Sequence, residues 1–184
     1  MKRGDAKIAA MNRSIPGRRR FVAGLAAAAL GGACVAPVRA LEAPRGKVLL
    51  TITGQLAHTN DGASAVFDLA LLQQLPQHSF STRTPWYPQA RKFGGVLLRD
   101  LLAAVGAQGD TLRAVALNDY RVDIPTEDAA LHGALLAHLL DDAPMPVRDK
   151  GPLVIIYPFD DQPELRNALR YSRAIWQLRS LEIR

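Results

Sequence analysis

Three polar clusters hold the side chains with which this sequence could do chemistry. Ser81-Thr82-Arg83-Thr84-Pro85-Trp86-Tyr87 sets hydroxyls beside a guanidinium and two aromatic rings. Asn118-Asp119-Tyr120 forms a second, and Arg148-Asp149-Lys150-Gly151-Pro152 a third, followed one apolar run later by Tyr157-Pro158-Phe159-Asp160-Asp161. Each lies beside the end of an expected strand, where polar groups converge on pockets. Arginines with hydroxyls suit a bound anion such as phosphate or sulfate, because they present several donors in defined directions. The same residues are also ordinary turn chemistry, since Asn, Asp and Pro favour chain reversals.

Other chemistries lack their residues. The sequence has no glycine-lysine phosphate loop, no dinucleotide fingerprint and no nucleophile elbow. His58, His78, His132 and His138 show no paired metal spacing, and His132 and His138, six apart, would not share a helical face. Exposed or hydrogen-bonded roles suit them, and no metal set is expected. The only cysteine, Cys34, lies within the first 40 residues.

Those 40 residues resemble an export leader. Arg18-Arg19-Arg20 precedes an apolar stretch from Phe21 to Val35, and Val38-Arg39-Ala40 places small residues where a signal peptidase reads. Arg18-Arg19-Arg20-Phe21-Val22 is similar to the twin-arginine pattern, which serves proteins exported already folded; an ordinary leader with an arginine-rich start is the alternative. Leu30-Gly31-Gly32-Ala33-Cys34 offers a lipoprotein site of poor fit, and Met11 is a second candidate start. The apolar run is short for a membrane span and is broken by glycines. Removal near Ala40 would leave a periplasmic protein starting near Leu41, with no cysteine for disulfides, thiolate nucleophiles or thiolate ligands. It would also remove eight of the 23 Lys and Arg and one of the 17 Asp and Glu. The pI of about 9.9 therefore belongs mostly to the leader, and the near-neutral remainder makes no electrostatic case for nucleic acid.

Residues 41–184 suit one domain, without repeats, low-complexity tracts or an internal linker. Lys47 to Thr53 reads as a strand ending at Gly54, and Phe67 to Leu75 as a short helix capped by Asp68 and stopped by Pro76. His78 to Thr84 reads as a strand halted by Pro85. Gly95 to Gly106 reads as a helix with Val96, Leu97, Leu101, Leu102 and Val105 as its buried stripe. Leu112 to Leu117 and Tyr120 to Ile124 flank a hairpin turn at Asn118-Asp119. Glu127 to Leu140 is open between helix and strand by composition. Leu153 to Tyr157 reads as a buried strand, and Arg173 to Ile183 as a closing strand with a break of phase near Ser180 that calls for a bulge or a second short strand. Strands and helices interleave without a βαβ rhythm, so the class is α+β, with mixed sheets and short helices.

The order of these motifs resembles the molybdopterin-binding domain of the sulfite oxidase family. Phe93-Gly94-Gly95-Val96-Leu97-Leu98-Arg99-Asp100-Leu101-Leu102 is similar to the segment that follows the family's cofactor cysteine. Asn118-Asp119-Tyr120-Arg121-Val122-Asp123-Ile124-Pro125 resembles its aromatic-and-proline strand pair. Ala134 to Ala137 with Pro144-Met145-Pro146, then Lys150-Gly151-Pro152-Leu153, is similar to its glycine-proline stretch, and Ser172-Arg173-Ala174-Ile175-Trp176 to its closing strand. The resemblance spans residues 47–183. It implies a sulfite-oxidase-like fold, a strand for the second part of Glu127–Leu140, and molybdopterin as cofactor. The cofactor-facing residues it implies are Thr82, Arg83, Thr84, Trp86, Asn118, Tyr120, Arg148, Lys150 and Arg173. Within that set the arginines and Lys150 would meet the pterin phosphate, and Asn118 and Tyr120 would shape the substrate side.

The sequence departs from the family at its metal ligand. Phe80 to Trp86 offers Ser81, Thr82 and Thr84 where the resemblance calls for a cysteine, and a hydroxyl is a far poorer ligand than a soft thiolate. Two readings follow. One is a binding module that kept the fold and lost the metal, holding a small anion or pterin, or docking onto a membrane-bound sensor or a redox partner. The other is a molybdopterin-dependent oxidoreductase that loads its cofactor without a cysteine.

Overall fold

The computed structural model describes residues 41–184; the expected leader lies outside them. Alternation of buried apolar and half-exposed polar residues builds a first sheet with one solvated face, as antiparallel sheets commonly have. In β1 (Leu50–Gly54) Leu50 and Ile52 point inward, and in β5 (Thr111–Ala116) Leu112, Ala114 and Ala116 do. With β2 (Ala65–Phe67), β6 (Arg121–Pro125) and β10 (Leu178–Ile183) they form the order β2-β1-β10-β5-β6. Neighbours run antiparallel except β1 and β10, which are parallel. The register slips between Leu178 and Ser180, where the bulge was expected.

The second sheet joins β3 (Gln77–Thr84), β4 (Tyr87–Leu97) and β7 (Leu135–Leu140). The far edge of β7 is shared: β8 (Ala143–Pro144) pairs with Leu139 and Leu140, and β9 (Val154–Ile156) with Leu135 to Ala137. Leu135 to Ala137 and Val154 to Ile156 are buried throughout, which explains their unbroken apolar runs. The two sheets are stitched where the Leu178 N–H donates to the Leu153 carbonyl at 2.9 Å and the Ile155 N–H to the Ile175 carbonyl at 2.9 Å.

Short helices close the layers. In α1 (Leu69–Gln74) the Asp68 side chain caps Leu71 N–H at 2.8 Å and also accepts from the Arg45 and Gly46 N–H groups. These donors hold its carboxyl below the usual range. Helix α2 (Leu98–Val105) buries Leu98, Leu101, Leu102 and Val105 and ends on Gly106 at φ +59°, the left-handed cap its sequence predicts. Among the described residues no helix is long and apolar enough to cross a membrane.

Two expectations change, and one open reading is resolved. The helix expected from Gly95 starts at Leu98, because Gly95, Val96 and Leu97 pair with Ala137, Leu136 and Leu135 in β4–β7. Gly95 lies so close to β7 that a Cβ would sit 2.1 Å from the Leu136 carbonyl oxygen. Glu127–Leu140 divides into α3 (Thr126–Leu131) and β7, so both halves of the open reading occur. Arg173 closes a helix, α4 (Ala168–Arg173), rather than opening the last strand, which begins at Leu178. Otherwise the described residues form the single α+β domain expected, with few short helices and two sheets, of which the first is mixed and the second wholly antiparallel.

Candidate functional site

The β3–β4 hairpin turns at Pro85-Trp86, with Thr84 paired to Tyr87, and carries two aromatic rings into a cluster at its tip. Trp86 meets Trp176 edge-on at 5.1 Å and Tyr171 at 6.0 Å, and Tyr87 meets Trp176 at 5.9 Å. Such edge-to-face pairs are the arrangement that ring quadrupoles favour. Two clefts flank this cluster.

The first, of about 240 Å³, lies on the Trp86 side and is lined by Trp86, Asn118, Tyr120, Tyr171 and Trp176 among others. The Asn118 Oδ1 accepts the Tyr120 N–H at 3.2 Å, as turn chemistry predicts, and the Tyr120 hydroxyl donates to the Ser172 carbonyl at 3.1 Å. That bond ties the β5–β6 hairpin to α4. The Trp176 Nε1–H is buried without a partner.

The second cleft, of about 410 Å³, lies on the Tyr87 side, and Arg91, Arg148 and Lys150 contribute to its wall. Lys150 sits at φ +73°, a strained conformation for a side-chain-bearing residue. Its carbonyl accepts the Gln177 N–H at 3.1 Å, while the Gln177 Nε2 donates to the Val147 carbonyl at 2.7 Å. Thus the segment after Trp176 clamps the 147–150 turn. The Lys150 ammonium stands 5.8 Å from the Tyr87 ring centre and 5.7 Å from that of Trp176, and meets no carboxylate among the described residues. The Arg91 guanidinium covers Tyr87 at 4.8 Å and pairs with Asp141 at 2.5 Å. Arg148 is 86% exposed and reaches only Asp149, at 3.5 Å. Burial raises the Tyr87 phenol above its ordinary value, against the opposing effect of Arg91.

The remaining expected residues lie elsewhere. Thr82 is fully buried, and its Oγ1 accepts the Asp160 N–H at 3.1 Å; Asp160 in turn accepts the Arg83 N–H at 3.1 Å and pairs with Arg166. Thr84 Oγ1 is buried and unpartnered. Arg173 donates to Asp128 at 2.9 Å, beside Arg170. The Tyr157 hydroxyl donates to the same carboxylate at 3.1 Å, and burial, then that charge, push its phenol well up. So the nine residues separate into an aromatic cleft (Trp86, Asn118, Tyr120), a cationic cleft (Arg148, Lys150), a joint at Asp160 (Thr82, Arg83), the hairpin tip (Thr84) and an ion cluster (Arg173).

Sequence reasoning did not single out Arg91, Tyr171, Asp128 or Arg170. The spacing of Arg170 and Arg173, one helical turn apart, is the signal that a helix over 168–173 would have made visible. All four histidines have hydrogen-bonding or ionic neighbours: His58 the Ala104 carbonyl, His78 Asp100, His132 Arg170 and Gln162, and His138 Gln77.

Fold and clefts together define an α+β domain with a cation-and-aromatic surface cleft. The chain is similar to the crystal structure of the sulfane dehydrogenase SoxCD from Paracoccus pantotrophus, at 18% identity and a TM-score of 0.55. The match covers 73% of this chain but only 37% of that one, and at this identity it shows the fold alone. No family model and no curated protein matches the sequence.

The fold family implies molybdopterin, and the donor set does not fit its metal. Residues 41–184 contain no cysteine, and Thr82 and Thr84 supply neutral hydroxyls where a soft thiolate is wanted. The Thr82 Oγ1 is already engaged by the Asp160 N–H. Among the described residues no three His, Cys, Asp or Glu side chains converge as a metal set.

Proposed function

We propose that this chain is a small-anion-binding module that keeps the sulfite-oxidase-like scaffold without a thiolate anchor for molybdenum. In this reading it is exported to the periplasm and serves as an accessory to a membrane-bound sensor or a redox partner. The observation that carries the proposal is Lys150: a half-buried ammonium in a cleft, held in a strained turn, with no carboxylate opposite it among the described residues. Strained backbone persists where the surroundings over-determine it, and such positions cluster at ligand clamps. A charge-assisted hydrogen bond from this ammonium to an anion is worth about 1.5–3 kcal/mol. Arg91 pairs with Asp141, and Arg148, on the exposed rim, with Asp149, so the uncompensated charge of the cleft is that of Lys150.

The test is thermal stabilisation by sulfate and phosphate in the wild type and in Lys150→Ala with Arg148→Ala. A shift in Tm that the double variant loses supports the reading. An equal shift in both proteins places the anion elsewhere and overturns it.

A further inference from the structure

We propose that the ligand of the Lys150 cleft is a monoanionic organic acid with an apolar body, a carboxylate or sulfonate, an inference that rests on the anion-binding reading above. The charge count sets the valence. Arg91 is matched by Asp141 and Arg148 by Asp149, which leaves Lys150 as the one unmatched charge of the lining. Burial holds Tyr87 protonated, so its phenol adds no negative charge at neutral pH. A surplus of one positive charge complements a monoanion better than a dianion such as hydrogen phosphate, since the second charge would be desolvated without a partner.

The wall sets the body. Leu140, Pro144 and Pro146 line the cleft together with the Tyr87 ring, above a Met145 that is itself 5% exposed and packed in the core. A bare inorganic ion would leave this apolar lining in water. An alkyl or aryl group lying on it gains roughly fourfold in affinity for each methylene removed from water. The volume of about 410 Å³ falls in the range of small-molecule sites, well above what one oxyanion fills.

The experiment is a titration series on the purified protein followed by calorimetry or amide chemical shifts. Acetate, butyrate, hexanoate and the matched alkylsulfonates are compared with inorganic sulfate and phosphate. Affinity is expected to rise from acetate to hexanoate by roughly tenfold or more. Lys150→Met, which keeps the stem and removes the charge, should weaken hexanoate at least tenfold. Leu140→Gln, at a half-buried position of the wall, should weaken hexanoate while leaving sulfate unchanged. If sulfate or phosphate binds as tightly as hexanoate, the ligand is an inorganic oxyanion: the organic-acid inference falls and the anion site stands. If no anion of either kind binds, both fall. The wild-type ligand series decides the matter even where a variant does not fold.

Discussion

Replacing Asp128 by alanine should destabilise the domain far more than any exposed ion-pair substitution. The Asp128 side chain is 4% exposed and accepts from Arg170, from Arg173 at 2.9 Å and from the Tyr157 hydroxyl at 3.1 Å. Its removal strands two guanidinium groups whose side chains are 18% and 13% exposed. Breaking a buried pair by removing one partner costs about 3–5 kcal/mol, because the survivor remains desolvated without compensation. The guanidinium edges keep some contact with water, so the expected loss lies near the low end, about 3 kcal/mol. At about 2–4 °C per kcal/mol for a domain of this size, Tm should fall by about 10 °C. The internal control is Asp123→Ala at the Arg113–Asp123 pair, whose acidic side chain is 52% exposed. Exposed pairs contribute about 0.2–1 kcal/mol, so Tm there should move by no more than about 3 °C. Urea and thermal melts of both variants provide the comparison. Equal shifts in the two would refute the view that Asp128 is the counter-charge holding α4, and with it Tyr171, against the aromatic cluster.

Three other outcomes follow from local geometry. Gly95→Ala should lower stability by about 1–3 kcal/mol or more, since the added Cβ meets backbone atoms of Leu136 and Ala137 that cannot swing aside; a neutral effect would contradict the close β4–β7 approach. His138 is almost fully buried, with Nε2 2.9 Å from the Gln77 Oε1 and Nδ1 unpartnered, and burial lowers its pKa. The unfolded chain therefore takes up that proton first. The stability linked to His138 should be complete above pH 6.5 and decline as pH falls toward the lower folded value, a slope that urea midpoints of His138→Gln should lack. Asp68, with its carboxyl held low by backbone donors, contributes stability that is present above pH 3.8 and lost as pH falls through its lower folded value. Asp68→Asn should accordingly be weaker than wild type at pH 7, with the gap closing in acid unfolding curves below about pH 3.8.

Much of the fold was legible because local signals and tertiary structure agree. Asp68 caps α1, Gly106 caps α2, Asn118 closes its turn and the bulge falls at Ser180, each for a reason carried by one or two residues. The start of α2 was misread because Val96 and Leu97 continue the helical phase of Leu101 and Val105, while their pairing partners in β7 lie some forty residues away. Most of β4 was invisible for a related reason: Pro88, Arg91, Lys92 and the two glycines lack strand propensity, and Arg91 and Lys92 are held by β3 while Gly94 and Gly95 are held by β3 and β7 on both sides. The site was legible as residue types rather than as a grouping. Asn118, Tyr120 and Trp86 do meet in one cleft, and Arg148 and Lys150 in another. Arg173 reads in sequence as one more anion contact, yet its Nη1 donates to Asp128, a partner 45 residues distant that nothing local announces.

The most direct measurement of the central claim is the molybdenum and pterin content of the full chain, expressed from Met1 in a cofactor-competent host and purified. The donor set predicts no stoichiometric molybdenum, in a protein that sulfate or an organic acid still stabilises through Lys150. Near-stoichiometric metal and pterin would contradict it and make the chain a molybdopterin oxidoreductase that dispenses with a cysteine ligand.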